Sequence, residues 1–272
     1  MNLTPIRITK KEFEIYRKFI ESKIGIKFPE MKKSLLESRL STHITKLGYK
    51  NFEDYFNNIL SIDQNEYDFF IDKITTHTTN FFRETVHFQY LINTGIKLIN
   101  KEFENPVINI LSMGTSTGEE MYTISLVFTE HKKLGYLNDF SISGIDISKK
   151  ALLKAKKGIF NSAALHYIPR KYRVYFNKTD ERIEAKEILK KNMRFFILNA
   201  ARKNQIFPDK YHIVFCRNTL IYFSNQKQQN IINNISGILE PGGLLFIGLS
   251  ESLQGIKHDF IKQESTIYRK IK

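Results

Sequence analysis

The stretch Asn109–Tyr122, NILSMGTSTGEEMY, constrains the fold of this chain more than any other. Ile108, Ile110 and Leu111 make a short apolar run suited to a strand covered on both faces. Gly114 and Gly118 bracket a turn of small hydroxyl residues, and Glu119 and Glu120 open a helix carrying Tyr122, Ile124, Leu126 and Val127. Such a turn lets backbone approach a ligand closely and points helix N-terminal N–H groups at it. The middle glycine of a G-x-G-x-x-G pattern is absent, so on these residues alone a ligand-binding turn and a plain structural turn stand level.

The strand–helix rhythm continues beyond it. A strand Phe140–Ile145 ends at Asp146, where a βαβ unit places the acidic residue that accepts hydrogen bonds from ribose hydroxyls. Strands Arg194–Leu198 and His212–Cys216 lead to Asn199 and to Arg217-Asn218. Ser224 caps a further helix, Pro241-Gly242-Gly243 turns into the strand Leu244–Gly248, and a hairpin over about 258–261 and 266–269 closes the sheet. Val174, Phe176, Ile183 and Phe195 predict a small antiparallel insert. This order predicts a doubly wound α/β sheet, which binds ligands outside the carboxyl ends of its strands. Gly114, Asp146, Asn199 and Arg217-Asn218 all fall there.

The first 75 residues read as all-helical. Thr9 and Glu12 form a capping box before Phe13, Tyr16, Phe19 and Ile20, and Gly25 ends that helix. A second helix, about 30–47, presents Leu35, Leu36, Leu40, Ile44 and Leu47 to a core and ends at Gly48. Its Lys32, Arg39 and Lys46 are spaced by seven, which predicts one basic stripe. Asn51 caps a short helix, and another covers about 63–75. The segment Thr75–Phe88, TTHTTNFFRETVHF, reads as a loop before a helix at about 84–100, with Arg83 in a partly buried site needing an anionic partner.

A single cysteine, Cys216, excludes an internal disulfide and reads as a core thiol. His87 and His166 read as surface or packing residues. The first residues carry no apolar signal-peptide core, and no apolar stretch is long enough to span a membrane, so a cytoplasmic protein without membrane insertion is expected. The net charge of +14 is uneven: residues 147–210 hold 17 basic and 5 acidic side chains, against 13 and 11 in residues 1–80. Such a block attracts nucleic acid, a membrane surface or an acidic protein, or simply solvates a lysine-rich surface. No Ser-His-Asp set, metal-ligand cluster or NPPY motif of amino-methylating DNA enzymes is present.

Four stretches together resemble the chemotaxis receptor glutamate O-methyltransferases, the CheR family: STGEE at Ser116–Glu120, TTHTTNFFRE at Thr75–Glu84, GIDIS at Gly144–Ser148 and FCRNTLIYF at Phe215–Phe223. GIKFPEMKKSLLESRL, Gly25–Leu40, is similar to that family's front end, so the likeness covers nearly the whole chain. The resemblance implies a helical domain (1–75), a linker (76–88) and a Rossmann-like S-adenosylmethionine-binding domain (89–272) with an inserted β-subdomain at 161–196. His77, Thr79 and Arg83 would line the cofactor pocket from the linker. Gly114 with Glu119 or Glu120 would hold the methionine end, and Asp146 the ribose. Asn199-Ala200 and Arg217-Asn218 would border the adenine and the reacting centre, with Tyr222 near the methyl group.

The implied reaction methylates glutamate carboxylates on the cytoplasmic helices of membrane chemoreceptors and leaves S-adenosyl-L-homocysteine. Arg83 and Tyr222 would be the catalytic pair and Lys32, Arg39 and Lys46 the docking stripe, in a monomer that binds no nucleic acid or metal. The chain departs from the family at His77, usually asparagine, and Met121, commonly proline. Where the family often offers an arginine toward the substrate, after the FFRE stretch, it has Lys97 and Lys101 as point charges. The loop Asn177–Arg182 lacks the glycine with which some members grip a receptor tail peptide, which favours docking without that peptide. Charge alone leaves a nucleic-acid methyltransferase as an alternative, and His77 and Met121 leave a non-catalytic cofactor-sensing module.

Overall fold

A computed structural model describes residues 5–271; the outer bounds of the predicted domains, residues 1 and 272, lie outside it. The helical part comprises α1 (Lys10–Lys23), α2 (Lys33–Lys46), α3 (Phe52–Tyr55) and α4 (Gln64–Ile74). The capping box at Thr9 is formed, and Asn51 and Asp63 cap α3 and α4, because each side-chain oxygen satisfies an orphan N–H of the first turn. After the linker come α5 (Thr85–Tyr90) and α6 (Ile96–Glu102), joined by a π-helical turn over Leu91–Gly95.

The remaining elements are β1 (Val107–Met113), α7 (Glu119–Lys133), β2 (Asp139–Asp146), α8 (Lys149–Lys157), β3 (Ile159–Asn161), β4 (Phe176–Lys178), β5 (Arg182–Ala185), α9 (Glu187–Lys190), β6 (Met193–Ile197), β7 (Tyr211–Cys216), α10 (Asn225–Ile238), β8 (Leu239–Ile247), β9 (Phe260–Glu264) and β10 (Ile267–Lys270). Seven strands form one sheet in the order β6-β2-β1-β7-β8-β10-β9. The first five are parallel and the terminal hairpin β9–β10 adds antiparallel. Strand β8 begins five residues before the expected Leu244, running through Pro241-Gly242-Gly243 beside an irregularity in its pairing with β7.

The insert is a three-stranded antiparallel sheet, β3-β5-β4. It contains Phe176 and Ile183 as expected. Phe195 does not belong to it: β6 pairs in parallel with β2, with Phe195 opposite Gly144. Val174 is 65% exposed and precedes β4. An alternating apolar pattern does not say which sheet a strand joins, and this one joined the larger.

Strand residues alternate between two cores. Leu111, Met113, Val214, Cys216, Leu245 and Ile247 face α10 and the helical domain, whose Phe13, Tyr16, Leu40 and Phe70 belong to the same cluster. Ile108, Ile110, Ile213, Phe215, Leu244 and Phe246 pack with residues of α5 to α7 and the insert. The helical domain thus shares one core with the sheet. Between β1 and β7 the order of connection reverses, which opens a crevice at their carboxyl ends.

Candidate functional site

The glycine turn sits at this crevice. The Gly114 and Thr115 N–H groups both donate to the Ile145 carbonyl, at 2.9 and 3.0 Å, so the turn leans from β1 toward β2. Gly114 has φ +77°, and a Cβ there would lie 2.5 Å from Thr219 Oγ1. Gly118 has φ +102°, and its Cβ would meet that of Ala155 at 2.8 Å, so it permits close packing of α7 on α8. Ser116 between them is left-handed, as are Phe82, Glu84 and Asn218, with φ between +52° and +56°. Four strained non-glycine residues from three segments therefore gather at one place.

Two adjoining cavities occupy the crevice. The first, about 540 Å³, is lined by Thr79, Arg83, Gly114, Glu120, Arg217, Asn218 and Tyr222 among others. The second, about 750 Å³, is lined by Lys32, His77, Gly114, Asp146, Asn199, Ala200, Asn218 and Tyr222, with apolar Ile26, Ile145, Ile147, Leu198 and Phe223. The two share Thr76, Gly114, Ser116, Asn218 and Tyr222. Of the pocket residues expected from the sequence, Glu119 alone lines neither. Its carboxylate accepts from Thr117 Oγ1 at 2.7 Å, and burial raises its pKa.

Asp146 accepts the Ser116 and Ser148 N–H groups, each at 2.8 Å and each on a different carboxylate oxygen. Every oxygen keeps a second lone pair, so the group can still receive two hydroxyls. Burial raises its pKa, opposed by those N–H groups and by His77. His77 faces Asp72 at 3.5 Å, Thr75 Oγ1 at 3.0 Å and Ser116 Oγ at 3.4 Å, so the unusual residue is accommodated by both domains. Met121, the other departure, is buried beside Gly144. Glu120 accepts from Ser112 Oγ at 2.8 Å and from Arg217 Nη1 at 3.2 Å. Burial raises its pKa, and Arg217 and Ser112 oppose the rise.

Arg217 is more deeply committed than its sequence position suggested. Its side chain is 2% exposed. It donates to Glu84 at 3.1 and 3.3 Å, to Glu120 and to the Arg83 carbonyl, and lies over the Phe88 ring at 5.3 Å. Its charge is thus neutralised within the protein, and it braces the linker against β7 and α7. Arg83 donates to the Thr78 carbonyl at 2.9 Å and closes the linker loop on itself. Asn199 accepts from the Ala201 N–H at 2.9 Å and donates to the Ile24 carbonyl at 3.1 Å. Tyr222 contributes its carbonyl to the Lys27 N–H at 2.8 Å, next to an Ile26–Phe223 bridge, while its hydroxyl forms no hydrogen bond among the described residues.

The docking stripe does not form. Lys32 belongs to a 3₁₀ turn, Glu30–Lys32, ahead of α2, and lines the second cavity with its ammonium 5.9 Å from the Tyr222 ring centre. Burial lowers its pKa, as does Arg39. Arg39 donates to the Lys73 and Thr75 carbonyls, at 2.7 and 3.2 Å, at the end of α4. Only Lys46 is freely exposed. The seven-residue rule holds along one continuous helix, and the 3₁₀ turn breaks it. Lys97 and Lys101 are also exposed and line neither cavity.

Two residues escaped the sequence reading, Glu84 and Glu251. Glu84, last residue of the FFRE stretch, binds Arg217 and also accepts from Asn218 Nδ2 at 3.0 Å. Burial pushes its pKa up, but Asn218, Arg217 and the Leu249 backbone outweigh that and hold it below the ordinary value. Glu251, 7% exposed, accepts the N–H groups of Gly248, Asn218 and Ile221 at 2.7, 2.9 and 3.2 Å. His87, read as a surface or packing residue, is a packing one: it is fully buried, bonds Thr266 Oγ1 at 2.8 Å, and burial together with Arg217 lowers its pKa to about 4. An acidic residue just past an apolar strand was the only available signal for Glu251. Cys216 is a buried thiol and His166 is exposed, as expected.

The profile described as CheR methyltransferase, SAM binding domain, matches residues 77–269, and that of the CheR all-alpha domain matches residues 11–75. The chain belongs to the CheR methyltransferase family. It is 36% identical to a chemotaxis protein methyltransferase of Borreliella burgdorferi, over 93% of this chain and 92% of the relative. Its identity to proteins of the same name is 32% in Vibrio parahaemolyticus, over 95% of both chains, and 28% in Escherichia coli, over 97% and 92%. Its cofactor is S-adenosylmethionine, and its reaction is methyl transfer in chemotaxis. The pocket fits that cofactor: Gly114 has no room for a side chain, Asp146 has lone pairs for a diol, and an apolar wall suits a purine. No helix among the described residues is long and apolar enough to cross a membrane, and no group of three or more potential metal ligands occurs among them.

Proposed function

We propose that this chain methylates glutamate side-chain carboxylates on the cytoplasmic helices of membrane chemoreceptors. It would act as a cytoplasmic monomer on protein rather than nucleic acid. The observation that carries the reading is the convergence at the β1–β7 crevice: Asp146 and Glu120 lie in adjoining cavities, and Tyr222 lines both with a free hydroxyl. Asn199, Ala200, Ile147 and Leu198 would border the adenine, Asp146 with His77 nearby the ribose, and Gly114, Thr79, Arg83 and Glu120 the methionine end. Glu120 lines the first cavity and Glu119 does not, so Glu120 is the better candidate for direct contact.

When bound, S-adenosylmethionine supplies an electrophilic sulfonium methyl group. A glutamate carboxylate, with an ordinary pKa near 4.3, is already ionised at neutral pH, and no strong general base is required. The chain's task is to align the carboxylate and exclude water. Tyr222 and Asn218 offer hydrogen-bond donors where the cavities meet, and the Lys32 ammonium offers a positive guide beside the Tyr222 ring. Arg83 faces the first cavity from the linker and can hold an anionic group.

The test is transfer of labelled methyl from S-adenosylmethionine to receptor-containing membranes. A base-labile receptor product, a carboxyl ester that releases methanol, is expected. Base-stable label on RNA or DNA, or cofactor binding with no transfer at all, would sink the reading.

A further inference from the structure

We infer that Ile221 and Leu249 form an apolar lip that seats the residues flanking the methylated carboxylate, and so help determine which carboxylates are accepted. This rests on the methylation of receptor helices proposed above. Ile221 precedes Tyr222, which lines both cavities, and is 48% exposed. Leu249 follows Gly248 at the end of β8 and is 49% exposed. Neither is needed to fill a core.

The loops that carry them are held together with unusual firmness. The buried Glu251 carboxylate accepts the Gly248, Asn218 and Ile221 N–H groups, at 2.7, 2.9 and 3.2 Å. Gly248 approaches Asn218 so closely that a Cβ would lie 2.7 Å from Nδ2 and 2.8 Å from the backbone nitrogen. Asn218 itself is held at φ +52° and donates to Glu84. Two half-exposed aliphatic side chains therefore stand on loops pinned to Asn218, which lines both cavities, so loss of flexibility on binding costs little.

Lys32 supplies a positive charge at the same pocket. Its ammonium lies 5.9 Å from the Tyr222 ring centre and donates to the Lys27 carbonyl at 3.5 Å, and no carboxylate among the described residues pairs with it. A protein segment that brings a carboxylate to Tyr222 comes near both Ile221, the preceding residue in the chain, and the Lys32 ammonium. The complementary partner is an amphipathic helix with aliphatic side chains beside the target glutamate and acidic ones a turn away.

The experiment measures methylation of receptor-containing membranes by the full-length chain and by I221E and L249E, with I221S and L249S as milder changes. The receptor KM should rise about tenfold in the charged variants and less in the serine variants. S-adenosylhomocysteine affinity by calorimetry should stay within about twofold, since neither side chain lines a cavity. Wild-type turnover with an unchanged receptor KM in all four variants would overturn the lip alone. No base-labile product with the wild-type chain would overturn the functional reading, and the lip with it.

Discussion

Replacing Arg217 with methionine should destabilise the protein by about 3–5 kcal/mol at neutral pH, the usual cost of removing one partner from a buried ion pair. The side chain is 2% exposed and touches Glu84 and Glu120, whose own side chains are 13% and 16% exposed. Methionine fills much of the volume and keeps contact with the Phe88 ring but returns no charge. Glu84 keeps the Asn218 amide and Glu120 keeps the Ser112 hydroxyl, which favours the lower end of the range. The deficit should depend on pH with a definite sign. Burial already raises the Glu120 pKa against Arg217, so without the guanidinium it rises further. The folded variant then binds more protons than folded wild type, and its relative stability improves as pH falls. Each unit of added shift recovers about 1.4 kcal/mol once the carboxyl is protonated. Urea denaturation of both proteins from about pH 8 to about pH 5 measures this, with the slope against urea as the control for a changed unfolded state. The double variant E120Q/R217M should recover part of the loss at the upper pH. A deficit below about 1 kcal/mol, or one equal at both ends of the range, would refute the view of Arg217 as an internal brace.

Gly114→Ala should cost at least about 2 kcal/mol, from the left-handed backbone and the 2.5 Å approach to Thr219, and weaken cofactor binding; calorimetry with S-adenosylhomocysteine within twofold of wild type would contradict it. Asp146→Ala should abolish measurable cofactor binding, because it removes the carboxylate that both tethers Ser116 and offers lone pairs to the ribose; unchanged affinity would remove the ribose assignment. His87 sets an acid limit. Its folded pKa, about 4 against an ordinary 6.5, means the unfolded chain takes up the proton first, so its contribution to stability is lost as pH falls between those values. His87→Gln, which keeps a partner for Thr266, should flatten the stability profile in that window; an unaltered slope would show the loss arises elsewhere.

Local signals in the sequence act over a few residues and were legible. The caps at Thr9, Asn51 and Ser224, the glycine turn at Gly114–Gly118 and the acidic strand end at Asp146 each depend on a side chain and a backbone group close in the chain. Strand ends could be recognised one by one, and a doubly wound sheet necessarily collects them on one edge. That reasoning brought Gly114, Asp146, Asn199 and Asn218 to the cavities. Tertiary structure alone decided what each charge does there. Arg217 and Glu84 are 133 residues apart, and their pairing makes Arg217 a brace as well as a residue of the cavity wall. Lys32 and Arg39 looked equivalent by spacing, but one ended in the pocket wall and the other on the end of α4. Glu251 gave no signal beyond its place after an apolar strand, because its partners are backbone N–H groups from loops that meet only when β7 and β8 pair. A charge in a sequence has a sign but no dielectric or partner, and only the folded packing supplies those.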